Sequence, residues 1–384
     1  IDDLAKRGTA SPDHVIRIKA KPLVLRKSVW SAGRDAIKAV IDEYASQYHA
    51  MFDRQAPSAD QPKKILSPDP KTIWMEGIGF IGLGSNAKAA SVAGDLAVQN
   101  ARVRAIGEDT GGFYPISEKD LFDCEYWSLE QAKLGKGTPP KMQGRVVLVT
   151  GGAGAIGKAI ADAFTALGAQ CFLVDQDQET LNQTLKDLGT GHAGLALDVT
   201  EQGAVDSAMH ACINTFGGLD ILVSNAGAAL SGAMLDVPSD QLRDAFELNF
   251  FSHHAFAVEA AKLFKLQGRG GQLLFNISKQ AINPGKNFGA YGMPKATTLF
   301  LMRQLALELG RDGIIVNGVN ADRIRSGLLT DDFIAERANA RGVSQEQYMA
   351  GNILNKEVRA QDVAHAFTSL AQICLLYTSD AADE

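Results

Sequence analysis

From residue 144 onward, six short apolar runs rich in β-branched residues, RVVLVT, CFLVD, GLALDV, DILVSN, QLLFNI and GIIVNGV, alternate with amphipathic stretches long enough for helices. A strand that is apolar along its whole length must be covered on both faces, and parallel neighbours need a long crossover, which a helix supplies. The alternation therefore predicts an α/β fold in which a doubly wound parallel sheet carries helices on both faces. Before residue 136 the pattern changes. A long helix is expected near Ser31 to Arg54, a glycine-punctuated strand pair in KTIWMEGIGFIGLGS, a second helix from about Ala87, and a further one capped by Ser117. The Gly- and Pro-rich GKGTPPKMQG between the two blocks is the best linker in the chain.

These patterns divide the chain into residues 1–135, a linker at 136–143, a second domain at 144–373 and a tail at 374–384. The tail, CLLYTSDAADE, abandons the helical period of AQDVAHAFTSLAQI before it and resembles translated adaptor sequence, so it is read as non-native. Since the chain also opens on Ile1 in mid-pattern, it is expected to be a piece at both ends. A net charge of -6 with no Lys/Arg run argues against a nucleic-acid or anionic-membrane partner and favours a small molecule. Four cysteines without metal spacing suit a reducing compartment, so a cytoplasmic protein is expected.

The strongest local signal is VVLVTGGAGAIGKAIADAF, a strand running through glycines into a helix, where backbone N–H groups can receive a pyrophosphate. Two registers compete. Gly152, Gly154 and Gly157 satisfy GxGxxG, whereas Thr150, Gly151, Ala155 and Gly157 satisfy a longer TGxxx[A/G]xG turn. Either could be a purely structural turn. Asp175 ends the next strand 18 residues after Gly157, near the offset at which a carboxylate takes a ribose 2′-hydroxyl. Its charge would repel a 2′-phosphate, which favours NAD over NADP. The plainer alternative is that Asp175 caps a turn.

In SKQAINPGKNFGAYGMPK, Tyr291 and Lys295 stand four apart, the spacing that stacks two side chains on one helix face, yet Gly292 and Pro294 lie between them. If the helix starts there, both poor helix formers are tolerated, because a proline in the first turn loses no helical bond. A lysine ammonium beside a tyrosine favours the phenolate and makes the tyrosine a usable base. Ser278, 13 residues earlier, follows QLLFNI and so reaches the same sheet edge. A solvated Tyr/Lys face and a turn serine are the ordinary readings of these residues taken singly.

The combination resembles the short-chain dehydrogenase/reductase family over about 230 residues, Gly144 to Ile373. The resemblance implies a Rossmann-type sheet, with Tyr291 as general acid/base, Lys295 as the partner that lowers its pKa and binds the nicotinamide ribose, and Ser278 holding the substrate oxygen. Asn249 in FELNFF matches the asparagine that supports a proton-relay water. Asn225, Ala226 and Gly227 match the NAG motif, and Asp198 with Val199 the adenine side. Gly151, Gly152, Gly154, Ile156 and Gly157 would form the phosphate turn. Two departures stand out: Ala321 and Asp322 occupy the usual Pro-Gly position, and a last strand is missing.

The first block, with RGTASPDHVIRIKAKPLVL and GIGFIGLGSNAKAASVAGDLA, resembles the C-terminal part of the class II aldolase domain of bifunctional rhamnulose-1-phosphate aldolase/short-chain dehydrogenase proteins. Such aldolases hold zinc through histidines that include an HxH pair, and this chain has none. His14 is the one candidate ligand, with a strand-cap role as its alternative. His14 and His49 do not complete a site, Ile78 stands where a third ligand is usual, and the adjacent His253 and His254 point apart on a helix. No metal is expected. The resemblance implies an NAD-dependent dehydrogenase acting on lactaldehyde, in an oligomer such as a dimer or tetramer. A polyol dehydrogenase, or a cofactor-binding or oligomer-forming module without turnover, stays open beside it.

Overall fold

The computed structural model describes residues 2–133, 138–327 and 329–372. The proposed tail and the start of the linker therefore lie outside the described residues. The chain divides into two compact units, Ile1–Pro139 and Pro140–Glu384.

In the first unit, strand β1 (Leu23–Leu25) pairs parallel with β2 (Thr72–Met75), which pairs antiparallel with β3 (Gly79–Gly82). Helix Arg34–Gln55 connects β1 to β2 and helix Ala87–Asp109 follows β3, both close to their expected spans. Ser117 caps helix Glu118–Glu125 by accepting from the Asp120 N–H. Tyr48, Phe122 and Tyr126 pack into a core. There the Tyr48 hydroxyl donates to Glu125 at 2.9 Å, and Lys19 Nζ lies 3.6 Å from the same carboxylate. Burial pulls Lys19 down to about 8 and pushes Glu125 up, because it disfavours either charge.

All six expected runs of the second unit form strands: β4 (Val146–Thr150), β5 (Gln170–Asp175), β6 (Ala193–Ala196), β7 (Ile221–Ser224), β8 (Gly271–Asn276) and β9 (Ile314–Val319). They make one parallel sheet in the order β6-β5-β4-β7-β8-β9. Successive residues feed opposite cores, as the pleat requires. Val146, Leu148, Phe172, Val174, Leu273 and Phe275 join one core, together with helices Ala204–Phe216 and Ser252–Gln267. Val147, Val149, Cys171, Leu173, Val223 and Leu274 join the other, with helices Ala155–Ala166 and Ala360–Gln372. This is the doubly wound architecture that the sequence pattern predicts. Its strand order reverses between β4 and β7, which opens a crevice at their C-terminal ends, where sheets of this kind bind ligands.

No helix among the described residues is long and apolar enough to cross a membrane.

Candidate active site

Residues at the C-terminal ends of β4, β5, β7 and β8 converge on this crevice. Gly151 has φ +62, and a Cβ there would lie 3.0 Å from the Ala226 Cα. A Cβ on Gly157 would fall 2.0 Å from the Gly151 carbonyl oxygen. Gly154, by contrast, would meet nothing nearer than 3.5 Å. Together with Thr150, whose hydroxyl accepts from the N–H groups of Asn225 at 2.9 Å and Ala226 at 3.1 Å, this favours the longer of the two glycine registers. The helix that follows, Ala155–Ala166, starts at Gly154 without a side-chain cap. Ile156 is half-buried and packs on the second core.

Asp175 ends β5 and folds back over the turn. One carboxylate oxygen accepts from the Ala153 N–H at 2.9 Å and the other from the Asp177 N–H at 3.2 Å, so the turn-capping role coexists with a position beside the cradle. Asp198 accepts from the N–H and hydroxyl of Thr200 at 2.9 and 2.7 Å, and Val199 beside it is buried. Asn225 ties three strand ends together. Its Nδ2 donates to the carbonyls of Thr150 at 3.0 Å and Gly151 at 3.2 Å, and its Oδ1 accepts from Asn276 Nδ2 at 2.8 Å. At Gly227 a Cβ would sit 2.8 Å from Asn249 Oδ1 and 3.4 Å from Lys295 Nζ.

Ser278, Tyr291 and Lys295 come together beyond β8. Ser278 precedes a single 3₁₀ turn, Lys279–Ala281, and its Oγ accepts from the Gln280 N–H at 3.2 Å. Tyr291 is the third residue of helix Gly289–Leu309, and Ser278 is the side chain near it that favours the phenolate. Lys295 is 2% exposed, its Nζ donating to the Asn276 carbonyl at 3.1 Å and lying 6.0 Å from the centre of the Tyr291 ring.

Three expectations need correction here. Pro294 lies in the second turn, six residues into the helix, where a residue with an N–H would bond to the Ala290 carbonyl, so it does not mark the helix start. Pro294 is itself buried, as are Ala290 and Thr298 one turn to either side of it. At Gly292 the reason is close approach, since a Cβ there would be 3.1 Å from the Gln280 carbonyl oxygen. The second correction concerns charge. Burial raises the Tyr291 pKa, Ser278 is the group that lowers it, and Lys295 is itself pulled down to about 7. Burial disfavours both charged forms, so the lysine's field acts only while it keeps its proton. Third, His14 caps no strand: it sits inside helix Pro12–Ile18, with Nδ1 2.8 Å from Ser11 Oγ.

Asn249 is buried in a π-helical turn, Glu247–Phe251, a distortion often found at functional sites. Its Nδ2 donates to the carbonyls of Ala228 at 2.9 Å and Ala245 at 3.1 Å, while its buried Oδ1 has no partner among the described residues. Its own carbonyl accepts from Thr298 Oγ1 at 2.8 Å. Thr298 and Asn276 belong to this network and were not singled out by sequence reasoning, and His253, weighed there only as a metal ligand, belongs to it too.

The crevice thus has a glycine cradle, an uncapped helix start, a carboxylate beside it, and a Ser/Tyr/Lys group across the sheet edge. Residues 145–336 match the family model described as short chain dehydrogenase, and residues 1–134 the one described as aldolase class II, second domain. The chain belongs to the short-chain dehydrogenase family. The dehydrogenase unit follows an aldolase class II domain, and the family is one of oxidoreductases. An uncharacterized oxidoreductase, YuxG, from Bacillus subtilis is 31% identical over 96% of this chain, which spans 55% of that relative's length. A sorbitol dehydrogenase from Cereibacter sphaeroides is 30% identical over 58% of this chain and 88% of its own. Among solved structures, a short-chain type dehydrogenase/reductase from Mycobacterium marinum superposes with TM-score 0.54 at 26% identity, covering 59% of this chain and 88% of that one.

No group of three or more His, Cys, Asp or Glu side chains among the described residues is placed to hold a metal ion. His49 is exposed on its helix. Dehydrogenase turnover is therefore expected to survive EDTA treatment within about twofold. Stoichiometric zinc in the purified protein, lost on His14→Ala, would reverse this expectation and make His14 a ligand.

Proposed function

We propose that this chain is an NAD-dependent dehydrogenase for a small hydroxylated substrate. The reading is carried by the Ser278, Tyr291 and Lys295 group lying across the crevice from the glycine cradle. Gly151, Gly152, Gly154 and Gly157, with the helix start at Ala155, would hold the pyrophosphate, and Asp175 would take the adenosine ribose hydroxyls. Asp198, Val199, Asn225, Ala226 and Gly227 would border the adenine side. When bound, NAD supplies the hydride acceptor. Tyr291 takes the proton of the substrate hydroxyl, Ser278 holds that oxygen, and the Lys295 ammonium stabilises the phenolate and holds the nicotinamide ribose. Asn249 shapes the floor beneath Lys295 and would support a relay water. An oligomer of this chain is part of the proposal.

For the substrate we favour lactaldehyde, reduced to the diol or oxidised as its hydrate, with a sugar alcohol as the second reading. Oxidation through a cysteine thiohemiacetal is disfavoured by the thiols. Cys171 and Cys212 are buried in the sheet cores with pKa values pushed up to about 12, so neither offers a thiolate. Likeness to a sorbitol dehydrogenase supports the polyol alternative. Free Cys124, Cys171 and Cys212 support a reducing compartment, the cytoplasm.

The test is a screen of NAD reduction by the purified protein across lactaldehyde, propanediol and a panel of polyols, repeated with NADP. NAD is expected to be preferred at least about tenfold in kcat/KM, and Asp175→Ala to erode that preference by removing both the ribose hydrogen bonds and the repulsion of a 2′-phosphate. Equal use of NADP by the unaltered protein would overturn the cofactor assignment. Cofactor binding without turnover on any substrate would favour the binding-module reading.

A further inference from the structure

A buried imidazole lies beside this machinery with no part yet in it. His253, in helix Ser252–Gln267, is 1% exposed. Its Nδ1 is 2.6 Å from Ser224 Oγ at the end of β7, and its Nε2 is 3.4 Å from Lys295 Nζ. The adjacent His254 turns to the other face and lines an open surface hollow with Asp206, Glu247 and Glu259, so those carboxylates do not face His253. From β8 comes the Phe275 ring, 6.4 Å away centre to centre, and from the Tyr291 helix come Lys295 and, beyond it, Tyr291. Helix Ala204–Phe216, packed on the same helix, carries Cys212 as a neutral thiol. Lys295 is the charged group that acts on the imidazole and disfavours its proton, as burial does, while the Ala226 backbone acts the other way.

A lysine ammonium has three N–H donors and no acceptor capacity, and a buried one is tolerated only when its donors are received. The Asn276 carbonyl receives one of the three at 3.1 Å. His253 Nε2 lies 3.4 Å from the same Nζ, and it can accept only while the ring is neutral with its proton on Nδ1, facing Ser224. Two cations 3.4 Å apart in buried surroundings would repel strongly, so the pair carries at most one positive charge.

We infer that His253 is a positioning residue for Lys295: its neutral ring, fixed as the Nδ1–H tautomer by Ser224, accepts from Nζ and holds the ammonium against the Asn276 carbonyl. The third N–H is left for Tyr291 and the nicotinamide ribose. This rests on the dehydrogenase reading above. The catalytic lysine is thus supported through a residue of a different helix, 42 positions away.

Two measurements test it. In protein labelled with ¹⁵N-histidine, His253 is expected to keep a neutral Nδ1–H tautomer from about pH 6 to 9, with an Nε2 shift that follows Lys295 as that lysine loses its proton near 7 and that is absent in Lys295→Met. An Nε2–H tautomer, or titration of the ring within that range, would overturn the inference. Kinetically, His253→Phe keeps the ring volume but removes the acceptor, whereas His253→Gln returns one. The Phe variant is expected to lower kcat for oxidation about tenfold and to move its rising limb up by about one pH unit, with the alcohol KM unchanged. The Gln variant should restore most of both. A folded Phe variant with the parental pH profile would reduce His253 to packing. If the unaltered protein turns over no substrate, the dehydrogenase reading fails, while the tautomer measurement still decides the role of His253.

Discussion

Tyr291→Phe is expected to leave NAD affinity within about twofold of the parent while turnover falls by about 100-fold to 10,000-fold, the usual worth of a positioned acid/base. The substitution keeps the ring and deletes one oxygen. Ser278 is the side chain that acts on that oxygen, which among the described residues holds no structural hydrogen bond, so little beyond proton transfer is lost. The neighbouring helix turn rests on Ala290, Gly292 and Pro294, which the change does not touch. Steady-state kinetics for alcohol oxidation, with NADH binding followed by fluorescence, separate the two effects. Full turnover by the folded variant would remove Tyr291 from the mechanism and leave the chain as a cofactor-binding module. A parallel loss of binding and turnover would instead assign the hydroxyl to holding the crevice together.

Much of the architecture was legible because each strand carries its own signature. Val146 to Val149 are apolar at every position, and a strand of that kind has nowhere to go but the middle of a covered sheet. The same holds for the convergence of Ser278 with Tyr291. One follows a strand and the other starts a helix, and in a doubly wound sheet both sites are at the C-terminal edge. Residues whose role depends on partners brought in by topology were not legible. Asn276 reaches Asn225 across 51 residues, and Thr298 reaches the Asn249 carbonyl across 49. Both look like ordinary polar residues in their own segments.

Two misreadings have different causes. At Pro294, intrinsic propensity suggested a helix start, and the tertiary setting of a buried proline overrode it. At His14 the signal was present: Ser11 followed by Pro12 is a helix opening, with proline at the first helical position. Ser11 does not cap that helix through its side chain, however, because its hydroxyl goes to the imidazole instead. The Tyr291 pKa was misjudged for a third reason. The spacing of Tyr291 and Lys295 shows that the two are near each other, but says nothing of how deeply both are buried.

That burial leads to a second large effect, on stability. Lys295 titrates near 7 in the folded protein, against 10.5 for an unperturbed lysine, and burial is the cause. Between these values the unfolded chain binds more protons than the folded one, so this residue makes stability rise with pH across the window. Below about pH 7 both states are protonated and the cost of burying the charge is felt in full. Above about 10.5 neither is, and the cost disappears. Lys295→Met, similar in length and without charge, has no such dependence. Its stability relative to the parent is therefore expected to be greatest at or below pH 7 and to fall by about 4 kcal/mol by pH 10. The loss of the bonds to Asn276 and His253 shifts the whole difference downward but leaves its slope unchanged. Cofactor binding should meanwhile weaken at neutral pH, because the ammonium that would meet the ribose is gone. Denaturant unfolding of both proteins at a series of pH values from 6 to 10 reads this directly. A difference independent of pH would mean that Lys295 keeps a normal pKa in the folded chain, and that the site carries its positive charge without strain.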